Sequence, residues 1–286
     1  MSKIIKILPE KSDFLRRTTE IAKPPKNFWY IGKVPELRPT VAIIGARKPT
    51  EYGRYVTLKL AAQLAARGVT IVSGLALGHD ALAARGALDG GGVAVAVLGH
   101  GLDIIHPKSN RNLADEIVAR GGMLLSEFQP DFPIYKGNFL QRNRLVSALS
   151  DAVVVVEAAA RSGTLNTAMH ALEQGRELMA VPGNITSPLS VGCNRLIQQG
   201  ALPVTSVDDV LERLGLGAIA ENDGDLPLGN NKTEVHIIET INSGVQDGDQ
   251  IIAQTKITAP EFNRAITMLE IAGIVRSLGA NRWVLR

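Results

Sequence analysis

From residue 40 onward, short unbroken apolar runs alternate with longer stretches in which apolar residues recur every third or fourth position. The runs are Val41–Ile44, Thr70–Val72, Val93–Leu98, Met123–Leu125, Ala152–Val156 and Leu178–Val181, bounded mostly by Gly, Ser or Pro. A run with no polar alternation has no face to offer water, so each reads as a strand buried on both sides, as in a parallel sheet. The intervening stretches predict helices over 52–67, 79–89, 110–120 and 163–175. Strand–helix alternation at this spacing predicts an α/β fold over residues 40–216: an open, doubly wound, mostly parallel sheet with right-handed crossovers.

The pattern changes on either side of this region. Residues 1–39 form a short basic segment whose centre, PPKNFWYIGK, groups Phe28, Trp29 and Tyr30. Those rings are expected to pack on the main domain, the alternative being a base-stacking platform. Residues 217–232, GAIAENDGDLPLGNNK, lack an apolar period and read as a linker. Residues 233–286 predict three amphipathic helices, at about 233–242, 248–255 and 259–272, then two β-prone arms around the turn GAN. Three helices and a hairpin make a winged-helix-like unit.

Composition narrows the class. The chain has 286 residues, of which 45% are hydrophobic and 21% charged, as in ordinary globular proteins. The single cysteine, Cys193, excludes an internal disulfide framework and a Cys-based zinc site, and fits a reducing compartment. No apolar run reaches the roughly 18 residues needed to span a bilayer, and the first residues carry no signal-peptide pattern, so the expected location is the cytoplasm. The net charge of +3 is unevenly spread. Residues 1–40 hold nine basic and four acidic residues, whereas 233–286 hold five and six. With that balance and Arg264 as the one base of its third helix, the C-terminal unit is expected to contact protein rather than duplex DNA.

Ligands of doubly wound sheets bind beyond the carboxyl ends of the strands, so candidate chemistry is sought at each strand exit. The first exit, GARKPTEYG, offers a sharp turn at Gly45, then Arg47, then Thr50 as a helix cap, which together suit a phosphate. The fourth exit leads into YKGNFLQRNR, which holds Lys136, Phe139, Arg142, Asn143 and Arg144. Cations that follow phosphates and a ring that stacks a base are what single-stranded nucleic acid needs. The fifth exit, ARSGTLNTA, makes an anion-binding loop of Ser162, Gly163 and Thr164, with Ser162 or Thr164 capping the next helix. Nothing in the sequence marks a catalytic or metal-binding set. His79, His100 and His106 on these loops, Glu157 at a strand end, and Cys193 are expected to be structural or solvent-facing.

The strings VAIIGARKPTEYG, VSGLALGHDALAARGAL, AVLGHGLDIIHPKSN, LLSEFQP, NFLQRNRLVSALSDAVVVVEA, SGTLNTAMHALEQGRE and AVPGN…GCNRLIQQGA closely resemble the bacterial DNA-processing protein A family (DprA, also called Smf), in family order over residues 41–201. The resemblance implies an extended Rossmann fold that binds single-stranded DNA, protects incoming strands during natural transformation and loads RecA, acting as a homodimer without enzymatic activity or cofactor. It implies phosphate contact by Arg47, DNA contacts by Lys136 and Phe139 and the arginines of the RNR string, and backbone contacts at Gly45 and Gly99. Departures are Ala46 for the usual serine, His79 for an isoleucine, Ala84 where a histidine is expected, and an N-terminal domain reduced to about 40 residues. The alternative is a nucleotide-binding or phosphoribohydrolase-type Rossmann enzyme of the same superfamily. Such enzymes place a glutamate where Thr167 stands here, and a carboxylate is what their chemistry requires.

Overall fold

The computed structural model describes residues 3–216, 232–271, 274–279 and 281–285. They divide into two compact units, 3–216 and 232–285. The first is an α/β unit around a nine-stranded sheet. In chain order its strands are β1 (Ile5–Ile7), β2 (Phe28–Gly32), β3 (Thr40–Ile44), β4 (Thr70–Ser73), β5 (Ala94–Leu98), β6 (Met123–Ser126), β7 (Ala152–Val155), β8 (Glu177–Ala180) and β9 (Leu202–Pro203). Their spatial order is β1-β2-β6-β5-β4-β3-β7-β8-β9. β1 pairs with β2 and β2 with β6 in antiparallel fashion, and every other pairing is parallel.

The continuous apolar runs divide between two cores, one on each sheet face. Along β3, Val41 and Ile43 enter one core, and Ala42 and Ile44 the other. β7 alternates likewise, with Val154 on the first side and Val153 and Val155 on the second. This is the two-residue period of a strand with no wet face. The first core is closed by α2 (Glu51–Ala66), α3 (His79–Asp89), α4 (Arg111–Ala119) and α8 (Val207–Arg213). The second is closed by α1 (Asp13–Arg16), α5 (Lys136–Ala148), α6 (Gly163–Glu173) and α7 (Val191–Gln198). Thr50 caps α2 by accepting from Gly53 N, and Ser162 caps α6 by accepting from Thr164 N.

The N-terminal segment is part of this unit. β1 and β2 extend the sheet through the antiparallel β2–β6 pair, with Tyr30 opposite Leu125. Phe28 is fully buried, Trp29 packs against the first core and Tyr30 against the second, so the three rings serve the interior. Arg17 and Arg176 donate to Leu149 O and Ala148 O at the carboxyl end of α5, where the helix dipole favours cations. Through Arg17 the segment therefore helps to anchor the helix that carries the YKGNFLQRNR residues.

The second unit holds α9 (Lys232–Asn242), α10 (Gly248–Thr255) and α11 (Ala259–Ile271), then a hairpin of β10 (Val275–Gly279) and β11 (Arg282–Leu285). Ile237, Ile241, Ile251, Phe262, Ile266 and Leu269 form its core. This is the winged-helix arrangement expected from the sequence. Of the linker assigned to 217–232, residues 217–231 lie outside the described residues. No described helix is long and apolar enough to cross a membrane.

Candidate nucleic-acid interface

The parallel strands bring their exits to one edge of the sheet, and the loops there enclose a crevice of about 230 Å³. Its walls include Gly45 and Arg47 after β3, Gly74, Ala76 and Asp80 after β4, and Phe139, Arg142 and Asn143 on α5. Ser162, Gly163, Thr164 and Thr167 at the start of α6 complete it. A smaller recess of about 50 Å³ shares Arg47, Gly74, Phe139 and Arg142 and adds Leu77, His106 and Pro107.

Arg142 is the buried cation of this site, only 4% exposed. Its Nη1 donates to Val97 O at 3.0 Å. Gly74 makes room for it, since a Cβ there would lie 1.4 Å from Nη1. Asp80 lines the same crevice and accepts from Gly74 N at 3.0 Å. Burial pushes the Asp80 carboxyl up, while the Arg142 charge and the amides of Gly74 and Ala76 pull it down. Burial also lowers Arg142, with Asp80 opposing, but a guanidinium starts so high that it remains charged.

Arg47 and Lys136 are exposed, and neither has an ion-pair partner among the described residues. Lys136 opens α5, and Phe139 follows at i+3 on the same side of the helix, half-buried. Asn143 ties α5 to the α6 N-terminus by donating to Asn166 Oδ1 at 3.2 Å. The Thr164 hydroxyl donates to Gly45 O at 3.1 Å, stitching that N-terminus to the first loop. The crevice thus gathers a free cation, a buried cation, a ring and a capped helix N-terminus, which suits a phosphate and a planar group together.

Two of the residues implied by the family resemblance are placed differently. Arg144 is buried and makes a bidentate pair with Glu127, Nη1 to Oε1 at 3.0 Å and Nη2 to Oε2 at 2.7 Å. It does not line the crevice, because residues two apart on a helix point roughly 200° apart. Its charge is satisfied inside the fold. Gly99 is buried beneath Phe139, where a Cβ would lie 3.0 Å from the ring. It makes space for the ring and presents no open face to a ligand. Sequence reasoning missed Asp80 and Gly74, although an acidic residue opening a helix after a Gly-rich turn was a readable signal.

Behind the β3–α2 loop lies a second polar cluster. Glu157, 3% exposed, accepts from Thr50 N at 3.0 Å and from the Thr50 hydroxyl at 2.5 Å. His79, fully buried, lies 3.1 Å from Glu157 through Nε2 and 2.6 Å from the Thr57 hydroxyl through Nδ1. Burial holds the His79 imidazole below its ordinary range, although Glu157 pulls it up. A neutral ring protonated on Nε2 donates to Glu157 and accepts at Nδ1 from the Thr57 hydroxyl, whose hydrogen is then shared with Gly53 O, 2.8 Å away. Gly45 abuts that ring, with no space for a side chain between them. The cluster clamps the loop that presents Arg47. Cys193 is fully buried with its thiol pushed up to about 12 by burial, which makes it a packing residue rather than a nucleophile. Thr167 lines the crevice wall where the phosphoribohydrolase alternative needs a glutamate. No group of three His, Cys, Asp or Glu among the described residues is placed to hold a metal ion.

The sheet, the anion-and-ring crevice at its carboxyl edge and the winged helix define a Rossmann-type ligand-binding protein with an appended winged-helix unit. The family model for DNA recombination-mediator protein A matches residues 6–215, and that for the DprA winged helix domain matches residues 227–281. Protein Smf of Escherichia coli is 49% identical over 177 residues, 62% of this chain and 47% of that protein. The putative DNA processing protein DprA of Mycobacterium tuberculosis is 38% identical over 272 residues, 92% of this chain and 69% of that one. The match thus spans about half the length of the Escherichia coli relative. Among solved structures, DprA of Streptococcus pneumoniae superposes with a TM-score of 0.66 at 38% identity, covering 73% of this chain and 74% of that one. DprA of Helicobacter pylori, whose structure addresses its single-stranded DNA binding mode, gives 0.65 at 33% identity, covering 76% and 99%. The chain belongs to the DNA recombination-mediator protein A family, also known as DprA or Smf.

Proposed function

We propose that this protein binds single-stranded DNA in the crevice and acts as a recombination mediator, protecting incoming strands and loading RecA during natural transformation. The observation that carries the reading is the placement of the Phe139 ring in one crevice with Arg47 and Arg142. Arg47 and Lys136 meet phosphates from solvent, and Arg142 supplies a positive potential from below. Gly45 and the α6 N-terminus, with Ser162, Gly163 and Thr164, add backbone dipoles for a neighbouring phosphate. Phe139 stacks a base, and Asn143 holds α5 against α6 so that ring and helix N-terminus keep their spacing. A duplex keeps its bases stacked on one another, so a ring set in a recess selects the single strand. Family resemblance supports a homodimer that lengthens the DNA path and presents a face to RecA, and a cytoplasmic site of action.

Fluorescence anisotropy with labelled oligo-dT and a matched duplex, at two salt concentrations, tests the DNA reading. Salt-sensitive binding that strongly favours the single strand and weakens in Phe139→Ala is expected. Equal affinity for both DNAs, indifferent to that substitution, would refute it. RecA loading is tested by RecA filament assembly on single strands with and without this protein.

A further inference from the structure

The smaller recess beside the crevice has a second ring that the proposed machinery leaves unused. His106 sits in the loop between β5 and α4 and is exposed. Its ring centroid lies 5.9 Å from that of Phe139 with the planes 36° apart, and 6.3 Å from that of His100 at 86°. His100 also meets Phe139 edge-on, at 6.4 Å and 75°. His100 is buried, with Nδ1 bonded to Gly101 O at 2.8 Å, so it is a fixed post with both other rings against it.

The loop is held in place from the far side of the crevice. Asn110 is buried and its Nδ2 donates to Leu75 O at 2.9 Å and Ala76 O at 3.2 Å. Asn110 N donates to Pro107 O at 3.0 Å, which braces the residue after His106. Among the described residues the His106 imidazole makes no hydrogen bond. It faces the recess that also contains Arg47, Phe139 and Arg142. An exposed flat ring, braced by its backbone, free of hydrogen bonds and beside a stacking phenylalanine and two arginines, has the surroundings of a nucleobase contact.

We infer that His106 is a second base-stacking residue, extending the aromatic surface of Phe139 so that the strand meets two rings. The inference rests on the single-stranded DNA reading above. It says that the ring, rather than the polarity or the backbone of the residue, is what matters at position 106.

The test uses the full chain and labelled oligo-dT. His106→Ala and His106→Asn are expected to weaken binding by about fivefold to tenfold, the lower part of the range for loss of one base stack. His106→Phe should recover most of that loss. His106→Trp places a fluorophore at the contact, and its emission should be quenched along the same binding curve that anisotropy reports. Wild-type affinity in His106→Asn, or tryptophan emission unchanged at saturation, would overturn the inference. If those results accompany a loss of binding in Phe139→Ala, this inference falls and the single-strand reading stands. If the wild-type protein does not bind oligo-dT, both fall.

Discussion

The loop that leaves β3 separates two regions that treat charge in opposite ways. Behind it, buried Glu157, His79 and Thr57 form one hydrogen-bonded network with half-buried Thr50. In front of it, among the described residues, Arg47 and Lys136 have no ion-pair partner, and Asp80 is the acidic group whose charge acts on Arg142. A satisfied buried network is rigid, because any movement strands a polar group away from water. Cations without partners keep their interaction free energy for a ligand. The contrast shows how the fold builds a binding edge: the polar groups behind the loop complete each other, so that those in front need not.

The comparison predicts that substitutions behind the loop cost stability and those in front cost binding. The largest effect belongs to Glu157→Ala. It leaves the His79 ring N–H and the Thr50 amide without their acceptor and, at roughly 1–3 kcal/mol for each donor stranded, should destabilise the protein by roughly 3–5 kcal/mol, read from urea unfolding. A loss below about 1 kcal/mol would show that the cluster does not clamp the loop. Arg144→Ala should cost roughly 3 kcal/mol by stranding Glu127, while the double change Arg144→Met with Glu127→Leu should return stability close to wild type. Oligo-dT affinity of that folded double variant should be unchanged. A marked drop would put Arg144 in the interface after all.

In front of the loop, Phe139→Ala should weaken oligo-dT binding by about 1–3 kcal/mol and leave unfolding stability little altered. A smaller effect is pH-dependent. His79 titrates lower in the folded chain than its ordinary 6.5, so folding is favoured where the ring is neutral. Its contribution is complete above about 6.5 and is lost as pH falls below that value, because the unfolded chain then binds more protons. His100 is also lowered by burial and acts in the same direction. The slope of stability against pH between about 6.5 and 5 should therefore be shallower in His79→Asn, though not flat, and an unaltered slope would contradict burial of a neutral ring. Smallest is Lys136→Ala, which should change stability by less than about 0.5 kcal/mol. It should reduce the slope of log affinity against log salt by about 0.7, the share of one phosphate contact on a single strand.

Much of this architecture was legible because it rests on short-range patterns. Unbroken apolar runs marked six strands to within a residue or so at either end, and helix caps at Thr50 and Ser162 followed from residue type. β1 and β2 were not read, since three- and five-residue strands in a basic segment carry too little periodicity to stand out. Lys136 and Phe139 were paired by the family resemblance, whereas the helix that carries them was not read from the apolar pattern. Arg142 and Arg144 looked alike because the RNR string does not say which side of α5 faces Glu127.

The sequence by itself determined the two-unit plan, the buried parallel strands and the motif strings that mark the family, because each depends on residues close together along the chain. Only the tertiary structure decided that Gly74 yields its side-chain space to Arg142, that Asp80 shares a crevice with that guanidinium, and that His106 meets Phe139. Those residues lie on the loops and helices that follow β4, β5 and β6, which the strand order brings to one edge of the sheet. Strand order is set by packing and pairing over long separations, and no local pattern encodes which distant loops become neighbours.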